Sequence, residues 1–389
     1  MNAPGEKGFD VPKQTSRRRR LFLMAGGAAG LLALAVPAGA TRARPSPPSP
    51  PRPTPVNTAP GMPKWGPDPQ PRPPSASRLA AGEYRAYVAL AGDYRVVAVD
   101  AATRTFMGRG VATDAAQGVA VTPDGGKVYI ANTGQYDVLV VDPLTGETRP
   151  VHVGPFPRDV AVSPDGRKVY AAVTGGDTGR GGSDVVAVID PVTDEVVRRI
   201  RAGTAPRQVV FSADGRRAYV SHDGGIAVID TSSDTVVRSI RDRFCPQGIA
   251  VDPSGRRLYV AEPPAGRVSV LDTATGRVRG RIPAGDQPWA VDVTPDGTKA
   301  YIAQMNDNAV AVVDTASGRV RATIGVGKLP ASVAVTPDGS EVWVGNILSG
   351  SVSVIDVASG TLIATVAGGT GTKPLDAAPV GIAFGRTPS

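Results

Sequence analysis

The sequence is poor in the side chains that most often build metal centres and disulfides. Its 389 residues contain one cysteine, Cys245, and two histidines, His152 and His222. One cysteine excludes an intrachain disulfide, and two histidines are too few for a His-rich zinc or iron site. There is no Cys-x-x-Cys-His motif for covalent haem, and no serine stands in a Gly-x-Ser-x-Gly elbow. We therefore predict no metal site, no cofactor and no catalytic residue from motifs.

Aromatic residues are also scarce, at 5% of the chain, whereas glycine and proline are abundant, at 47 and 37 residues. This composition is typical of short strands joined by many tight turns, so it favours an all-β architecture. The apolar fraction of 41% is sufficient for a large core without disulfides.

Acidic residues are outnumbered, and the formal net charge is +8. Residues 1–40 hold six basic and two acidic residues, a net of +4, which leaves +4 for the rest of the chain. The remaining arginines are spread over many turns. This pattern favours a solvated surface over a nucleic-acid-binding stripe.

The N-terminal 40 residues have the organisation of an export signal. Four arginines end at Arg20, and an apolar run from Leu21 to Val36 follows them. Arg19 and Arg20 before this run resemble the twin-arginine pattern, although a general secretory signal has a similar basic region. Small residues at Ala38 and Ala40 predict cleavage after Ala40. A retained membrane anchor is the alternative, but sixteen residues are short for a membrane span.

Residues 41–78 form a proline-rich segment, with fourteen prolines between positions 45 and 74. Such a segment cannot bury a core, and we expect extended polyproline conformations that reach about 90 Å. We interpret residues 41–78 as a disordered linker that acts as a spacer at the cell surface.

From residue 79 to 389 the sequence repeats itself. A short apolar strand ends in aspartate at Asp100, Asp142, Asp190, Asp230, Asp272, Asp314 and Asp356, at intervals of 42, 48, 40, 42, 42 and 42 residues. A second strand leads into a turn such as Pro123-Asp124-Gly125, and a third contains Tyr or Trp, as at Val128-Tyr129-Ile130. Four short strands, A to D, in about 42 residues match the blade of a β-propeller.

The two ends of the repeat predict the number of blades. The first unit begins with strand B at residues 84–90, and an additional strand A follows the last unit at residues 379–384. We predict that the C-terminal strand completes the N-terminal blade and closes a ring of seven blades. The recurring aspartates are interpreted as turn residues.

Units such as Val333-Ala334-Val335-Thr336-Pro337-Asp338-Gly339 followed by Val342-Trp343-Val344 resemble the YVTN repeats of YncE-like β-propellers. The resemblance covers roughly residues 79–389. It implies a fold similar to that of lactonases and haem-d1 nitrite reductase domains and an exported or cell-surface protein. It implies no single activity.

Loop lengths predict which end of the propeller binds a partner. The two long insertions, residues 174–184 and 367–378, both fall in B–C or D–A connections, which share one end of the ring. Residues that flank strands A and B at this end are expected to surround the channel mouth: Arg158, Arg207, His222, Gln247, Glu262, Trp289 and Gln304. Two arginines beside a tryptophan suit a planar anionic ligand.

Three functions remain open from the sequence. The leading hypothesis is an exported binding or interaction protein, a monomer, whose partner is a protein, a glycan or a small anionic ligand. Nucleic acid is a less favoured partner, and a membrane would be contacted only through an uncleaved signal. The alternatives are a propeller enzyme of lactonase or cofactor-dependent oxidoreductase type, with Glu262 and His222 as an acid–base pair, and a structural surface protein.

Overall fold

The computed structural model describes residues 83–175, 184–241, 245–367 and 378–388. These residues form seven four-stranded antiparallel sheets arranged in a ring, which makes the protein a seven-bladed β-propeller. The strands are β1 (Tyr84–Leu90), β2 (Arg95–Asp100), β3 (Phe106–Ala112), β4 (Ala116–Val121), β5 (Val128–Asn132), β6 (Asp137–Val141), β7 (Thr148–His152), β8 (Pro157–Val162), β9 (Val169–Val173), β10 (Val185–Asp190), β11 (Glu195–Ile200), β12 (Val209–Phe211), β13 (Arg217–His222), β14 (Gly225–Asp230), β15 (Thr235–Arg241), β16 (Ile249–Val251), β17 (Arg257–Glu262), β18 (Arg267–Asp272), β19 (Val278–Pro283), β20 (Pro288–Val293), β21 (Lys299–Gln304), β22 (Ala309–Asp314), β23 (Arg319–Gly325), β24 (Pro330–Val335), β25 (Glu341–Asn346), β26 (Ser351–Asp356), β27 (Thr361–Ala367) and β28 (Pro379–Arg386).

The only helical segments in the described ranges are two 3₁₀ turns, Thr133–Gln135 and Pro263–Ala265. Neither has the length to cross a membrane. The predicted signal residues Arg19, Arg20, Ala38 and Ala40, the linker and most of both long insertions lie outside the described residues.

Ring closure occurs as the sequence predicts. Strand β28 pairs antiparallel with β1, and Val88 is opposite Ile382 in this register. The first blade therefore has the strand order β28-β1-β2-β3. Because its innermost strand comes from the C-terminus, the two ends of the repeat hold each other and no blade is left incomplete.

The core lies between the blades. Each sheet has neighbours on both faces, so strand B is buried along its length, as in β9, where all five residues are buried. Aromatic residues of strand B, such as Tyr170 and Trp343, are fully buried at these interfaces. Strand D is the outer edge and is mostly exposed, which explains why its sequences are polar.

The A–B and C–D connections lie at one end of the ring, here called the turn end. Side-chain hydrogen bonds stabilise the tight turns at this end. In the fourth blade, the carboxylate of Asp230 accepts hydrogen bonds from the backbone N–H groups of Ser232 and Ser233 at 3.0 and 3.2 Å. The same contact recurs after the other strand C aspartates, for example from Thr275 N–H to Asp272 at 2.7 Å. The interpretation of these aspartates as turn residues is confirmed.

At six of the seven blade interfaces, neighbouring blades are joined at the turn end by the residue that precedes the buried aromatic of strand B by two positions. The exception is Arg217, which pairs with Asp230 of its own blade. Lys127 Nζ donates to the Pro191 carbonyl at 2.7 Å and to the Asp194 carboxylate at 2.8 and 2.9 Å. Tyr129 donates its hydroxyl to the same carboxylate at 2.9 Å. We call this arrangement a latch, because it ties strand B of one blade to the C–D turn of the next.

The latch that closes the ring has reversed charges. In the last blade the position of Lys127 is occupied by Glu341, and in the first blade the position of Asp194 is occupied by Arg104. Arg104 donates to the Glu341 carboxylate, which also accepts the indole N–H of Trp343 at 3.0 Å. The two other latches that contain an ion pair, Lys127–Asp194 and Lys168–Asp234, have the opposite polarity, so the closing pair differs in charge from both of them.

Candidate ligand-binding mouth

The channel mouth lies at the opposite end of the ring, where strand A of each blade begins. The residue before this strand has positive φ in all seven blades although none is glycine, with values from 34 to 57°. A left-handed conformation costs a non-glycine residue about 1 kcal/mol, and such strain is concentrated at functional sites in proteins. These residues are Ala115, Phe156, Ala205, Cys245, Gln287, Leu329 and Ala378.

Arg158 and Arg207, the residues after the first proline of strand A in the third and fourth blades, lie close together at the mouth. Arg207 forms an ion pair with Asp223, which follows strand B of its own blade. Burial and the Arg207 charge lower the pKa of Arg158, and Asp223 offsets this only in part. Two guanidinium groups therefore share one carboxylate.

The Arg207 guanidinium also has unused hydrogen-bonding capacity. Its Nη1 is buried and has no hydrogen-bond partner among the described residues. A buried donor of a charged group is costly to leave unpaired, by about 1–3 kcal/mol. The excess positive charge and the free donor are what an anion with two or more oxygens would satisfy.

His222 lies near Arg207 and Asp223, and a nearby backbone N–H group orients its ring. It is 8% exposed, packs against Gly203, and accepts the Gly224 N–H at Nδ1 at 3.0 Å. Burial lowers the pKa of His222, so the ring is neutral at pH 7 and carries its proton on Nε2. In this form the imidazole presents a hydrogen-bond donor at Nε2.

Glu262 and Gln304 end strand B in the fifth and sixth blades, and both are engaged locally. Glu262, 2% exposed, accepts Arg267 Nε at 2.7 Å. Gln304 donates to the Ala284 carbonyl at 2.9 Å. The charges that act on Arg158 and His222 come from Arg207 and Asp223, and Glu262 is not among them.

The two remaining predicted residues follow the proline of strand A in the fifth and sixth blades. The carbonyl of Gln247 accepts the Ser221 hydroxyl at 2.8 Å, and its side chain lies 3.4 Å from the Cys245 carbonyl. The carbonyl of Trp289 accepts the Gly248 N–H at 2.9 Å, and the side chain is half-buried. Of the predicted set, the structure thus brings Arg158, Arg207 and His222 together.

Below the mouth, polar side chains of strand A connect adjacent blades inside the channel. Asp159 accepts the Val209 N–H at 3.0 Å, Gln208 accepts the Ile249 N–H at 2.7 Å, and Asp292 accepts the Val335 N–H at 2.8 Å. Strand A is the inner edge of its sheet, so these N–H groups have no strand to pair with. Burial raises the pKa of Asp159 to about 7 and that of Asp292 to about 6.

Sequence reasoning did not include Asp223, Asp159 or Asp292 in the site. Asp223 stands one position after His222, and its equivalents vary, so no repeat pattern identified it. Asp159 and Asp292 interrupt positions that are small or apolar in most blades, such as Gly118 and Ala120. That departure from the repeat was the available signal.

A separate surface cleft of about 400 Å³ lies at the turn end between the second and third blades, beside Pro123, Asp124, Asp165 and Val192. Its lining consists of repeated turn residues. Within the described residues, no three His, Cys, Asp or Glu side chains gather where they could hold a metal ion.

Comparison with known proteins adds support for the fold. No family model matches the chain, and no curated protein matches it. Among solved structures, a chain of Kuenenia stuttgartiensis hydrazine synthase superimposes with a TM-score of 0.63 at 24% identity, covering 73% of this chain and 98% of its own. A functionally unknown protein from Desulfotomaculum acetoxidans DSM 771 has a TM-score of 0.63 at 15% identity, covering 77% and 98%. At these identities the likeness shows a shared fold, and the fold serves many activities.

Proposed function

We propose that this protein is an exported propeller of the YVTN type that binds a small anionic ligand at the channel mouth. The observation that carries the proposal is the pair Arg158 and Arg207, which has only Asp223 as a counter-charge among the described residues. The buried Nη1 of Arg207, which has no hydrogen-bond partner among the described residues, supplies a further donor. An oxyanion with a planar, bidentate face matches these donors best.

The state of His222 supports binding over proton transfer. Its Nδ1 is occupied by the Gly224 N–H, so the neutral ring can donate from Nε2 but has no free basic nitrogen. Glu262, which an acid–base mechanism would need, is paired with Arg267. Export through the N-terminal signal and the spacer role of residues 41–78 belong to the same proposal and rest on sequence alone.

Native mass spectrometry of the full-length protein purified from its own host would test for a bound anion. In parallel, citrate and inorganic phosphate should raise the melting temperature of the wild-type protein, and Arg158→Gln should lose at least about three quarters of that shift, since it removes half of the donor pair. Arg216→Gln, an exposed arginine at the turn end, is the matched control and should respond like wild type. An equal response of Arg158→Gln and wild type would contradict the proposal.

A further inference from the structure

The outer circumference of the ring is strongly asymmetric in charge. Strand D of the third to sixth blades, β11, β15, β19 and β23, contains eight arginines and one acidic residue, Glu195, and two further arginines, Arg201 and Arg277, adjoin these strands. The aspartates that precede β11 and β15, Asp194 and Asp234, are paired with Lys127 and Lys168 in the latches of the turn end. All ten arginines are exposed. We call this surface the basic rim: Arg198, Arg199, Arg201, Arg238, Arg241, Arg277, Arg279, Arg281, Arg319 and Arg321.

Most of the basic rim is uncompensated. Arg279 pairs with Asp272, and Arg321 lies 3.6 Å from Asp314. Arg199 and Arg238 donate to backbone carbonyls. The other six have no ion pair with any carboxylate in the described ranges: Arg198, Arg201, Arg241, Arg277, Arg281 and Arg319.

Protection of exposed strand edges does not account for this surface. Charged residues on an edge strand do prevent association with other edges. If that were their purpose, every strand D would need them, because all seven are edges. Strand β27 has none and instead exposes Leu362 and Ile363 by 42% and 40%. The charge is therefore concentrated on one arc of the ring.

The shape and composition of the basic rim indicate the kind of partner. It spans four of the seven blades, more than half of the circumference, and is convex. A flat bilayer would contact only a short part of such an arc, whereas a flexible chain can follow it. The four strands contain no aromatic residue on which nucleic-acid bases could stack. We propose that the basic rim binds a linear anionic polysaccharide, through arginine contacts to its carboxylate or sulfate groups.

Binding is measured with the full-length protein and two probes, heparin for sulfate and polygalacturonate for carboxylate. The six uncompensated arginines predict that the logarithm of affinity falls with the logarithm of salt concentration with a slope of about −4. A preference for one probe identifies the anionic group that the arginines recognise. Duplex DNA and vesicles of equimolar phosphatidylcholine and phosphatidylglycerol are compared at matched charge concentration.

Two triple variants test whether heparin binding depends on where the positive charge lies or only on its total amount. Arg201→Gln, Arg241→Gln and Arg281→Gln together remove three charges from the basic rim. Arg167→Gln, Arg216→Gln and Arg256→Gln remove three exposed charges from the turn end. Both retain the N-terminal arginines, so any binding by that segment is common to them. The rim variant should bind heparin at least about tenfold more weakly than the control, with a slope closer to −2.

A measurement on the unmodified protein avoids any effect of the substitutions on folding. Heparin should protect Arg201, Arg241 and Arg281 from an arginine-selective dicarbonyl reagent, as read by mass spectrometry, and should leave Arg167, Arg216 and Arg256 reactive. Equal losses in the two triple variants, or uniform protection, would overturn the proposal. So would DNA or vesicles that bind the rim as tightly as either polysaccharide.

Discussion

Charged groups at the two ends of the ring have different partners. At the turn end, five of the seven blades place a lysine or arginine at the beginning of strand B, and its side chain donates to a carbonyl of the next blade, as Lys299 does to Val357 at 2.6 Å. At the mouth, Arg158 and Arg207 share one carboxylate, and the backbone before each strand A has positive φ. The turn end therefore joins neighbouring blades, whereas the mouth keeps excess positive charge. Non-glycine residues with positive φ occur in all seven blades at the mouth but in only three described C–D turns at the turn end, at Arg104, Asp194 and Asp234.

The largest effect is expected at the turn end, in the latch that closes the ring. Glu341→Lys places a cation opposite Arg104 and removes the acceptor of the Trp343 indole, so unfolding free energy should fall by about 3 kcal/mol. Adding Arg104→Asp recreates the polarity of the Lys127–Asp194 latch. We expect this double variant to recover at least half of the loss in urea unfolding. A double variant no more stable than the single one would show that charge polarity does not specify closure.

An intermediate effect is expected in the channel, where the pKa of Asp159 is raised to about 7. Because the folded protein favours the protonated acid, the contribution of Asp159 to the unfolding free energy is full below about pH 4 and is lost as the pH rises to about 7. Asp159→Asn lacks this contribution. The unfolding free energy of Asp159→Asn relative to wild type should therefore rise by about 2 kcal/mol between pH 4 and pH 8. This is roughly half of the value that the whole difference between the folded and unfolded pKa would give, because the carboxyl group keeps some contact with the channel.

The control for this comparison is Asp214→Asn at the turn end, where a hydrogen bond from Ser212 lowers the pKa of the carboxyl group. Its carboxylate stabilises the protein above the unfolded pKa, and this contribution is lost only as the pH falls further. The difference in unfolding free energy between Asp214→Asn and wild type should therefore be constant from pH 5 to 8, because this range lies at least about one pH unit above both the folded and the unfolded pKa. If the unfolding free energies of Asp159→Asn and Asp214→Asn, each relative to wild type, changed equally with pH, burial of Asp159 in the channel would not be the cause.

The smallest change in unfolding free energy is expected at the mouth, and it is opposite in sign to that of Glu341→Lys. Without ligand, Arg158→Gln relieves repulsion from Arg207 and should raise the unfolding free energy by about 0.5 kcal/mol, an effect that added salt should suppress. The same variant is expected to lose the stabilisation by citrate. A destabilised Arg158→Gln in low salt would mean that Arg158 has a structural partner, and the contrast between the two ends would fail.

The repeat by itself determined the fold. Strand periodicity, the Pro-Asp-Gly turns and the recurring aspartates are local signals, and the additional strand A at residues 379–384 indicated how the ring closes. Among the predicted mouth residues, Arg158, Arg207 and His222 were identifiable because each occupies a fixed place in its repeat. Whether they bind a ligand stays a prediction.

Tertiary structure decided which charges have partners. The Glu341–Arg104 pair joins residues 237 positions apart, and the pKa of Asp159 depends on burial by neighbouring blades. Arginines that look scattered along the chain lie on one arc, because each contributes from the outer strand of a different blade. A repeat specifies the position of a residue within its own blade. Its neighbours across the blade interface come from other repeats, so their charges become apparent only when the ring is assembled.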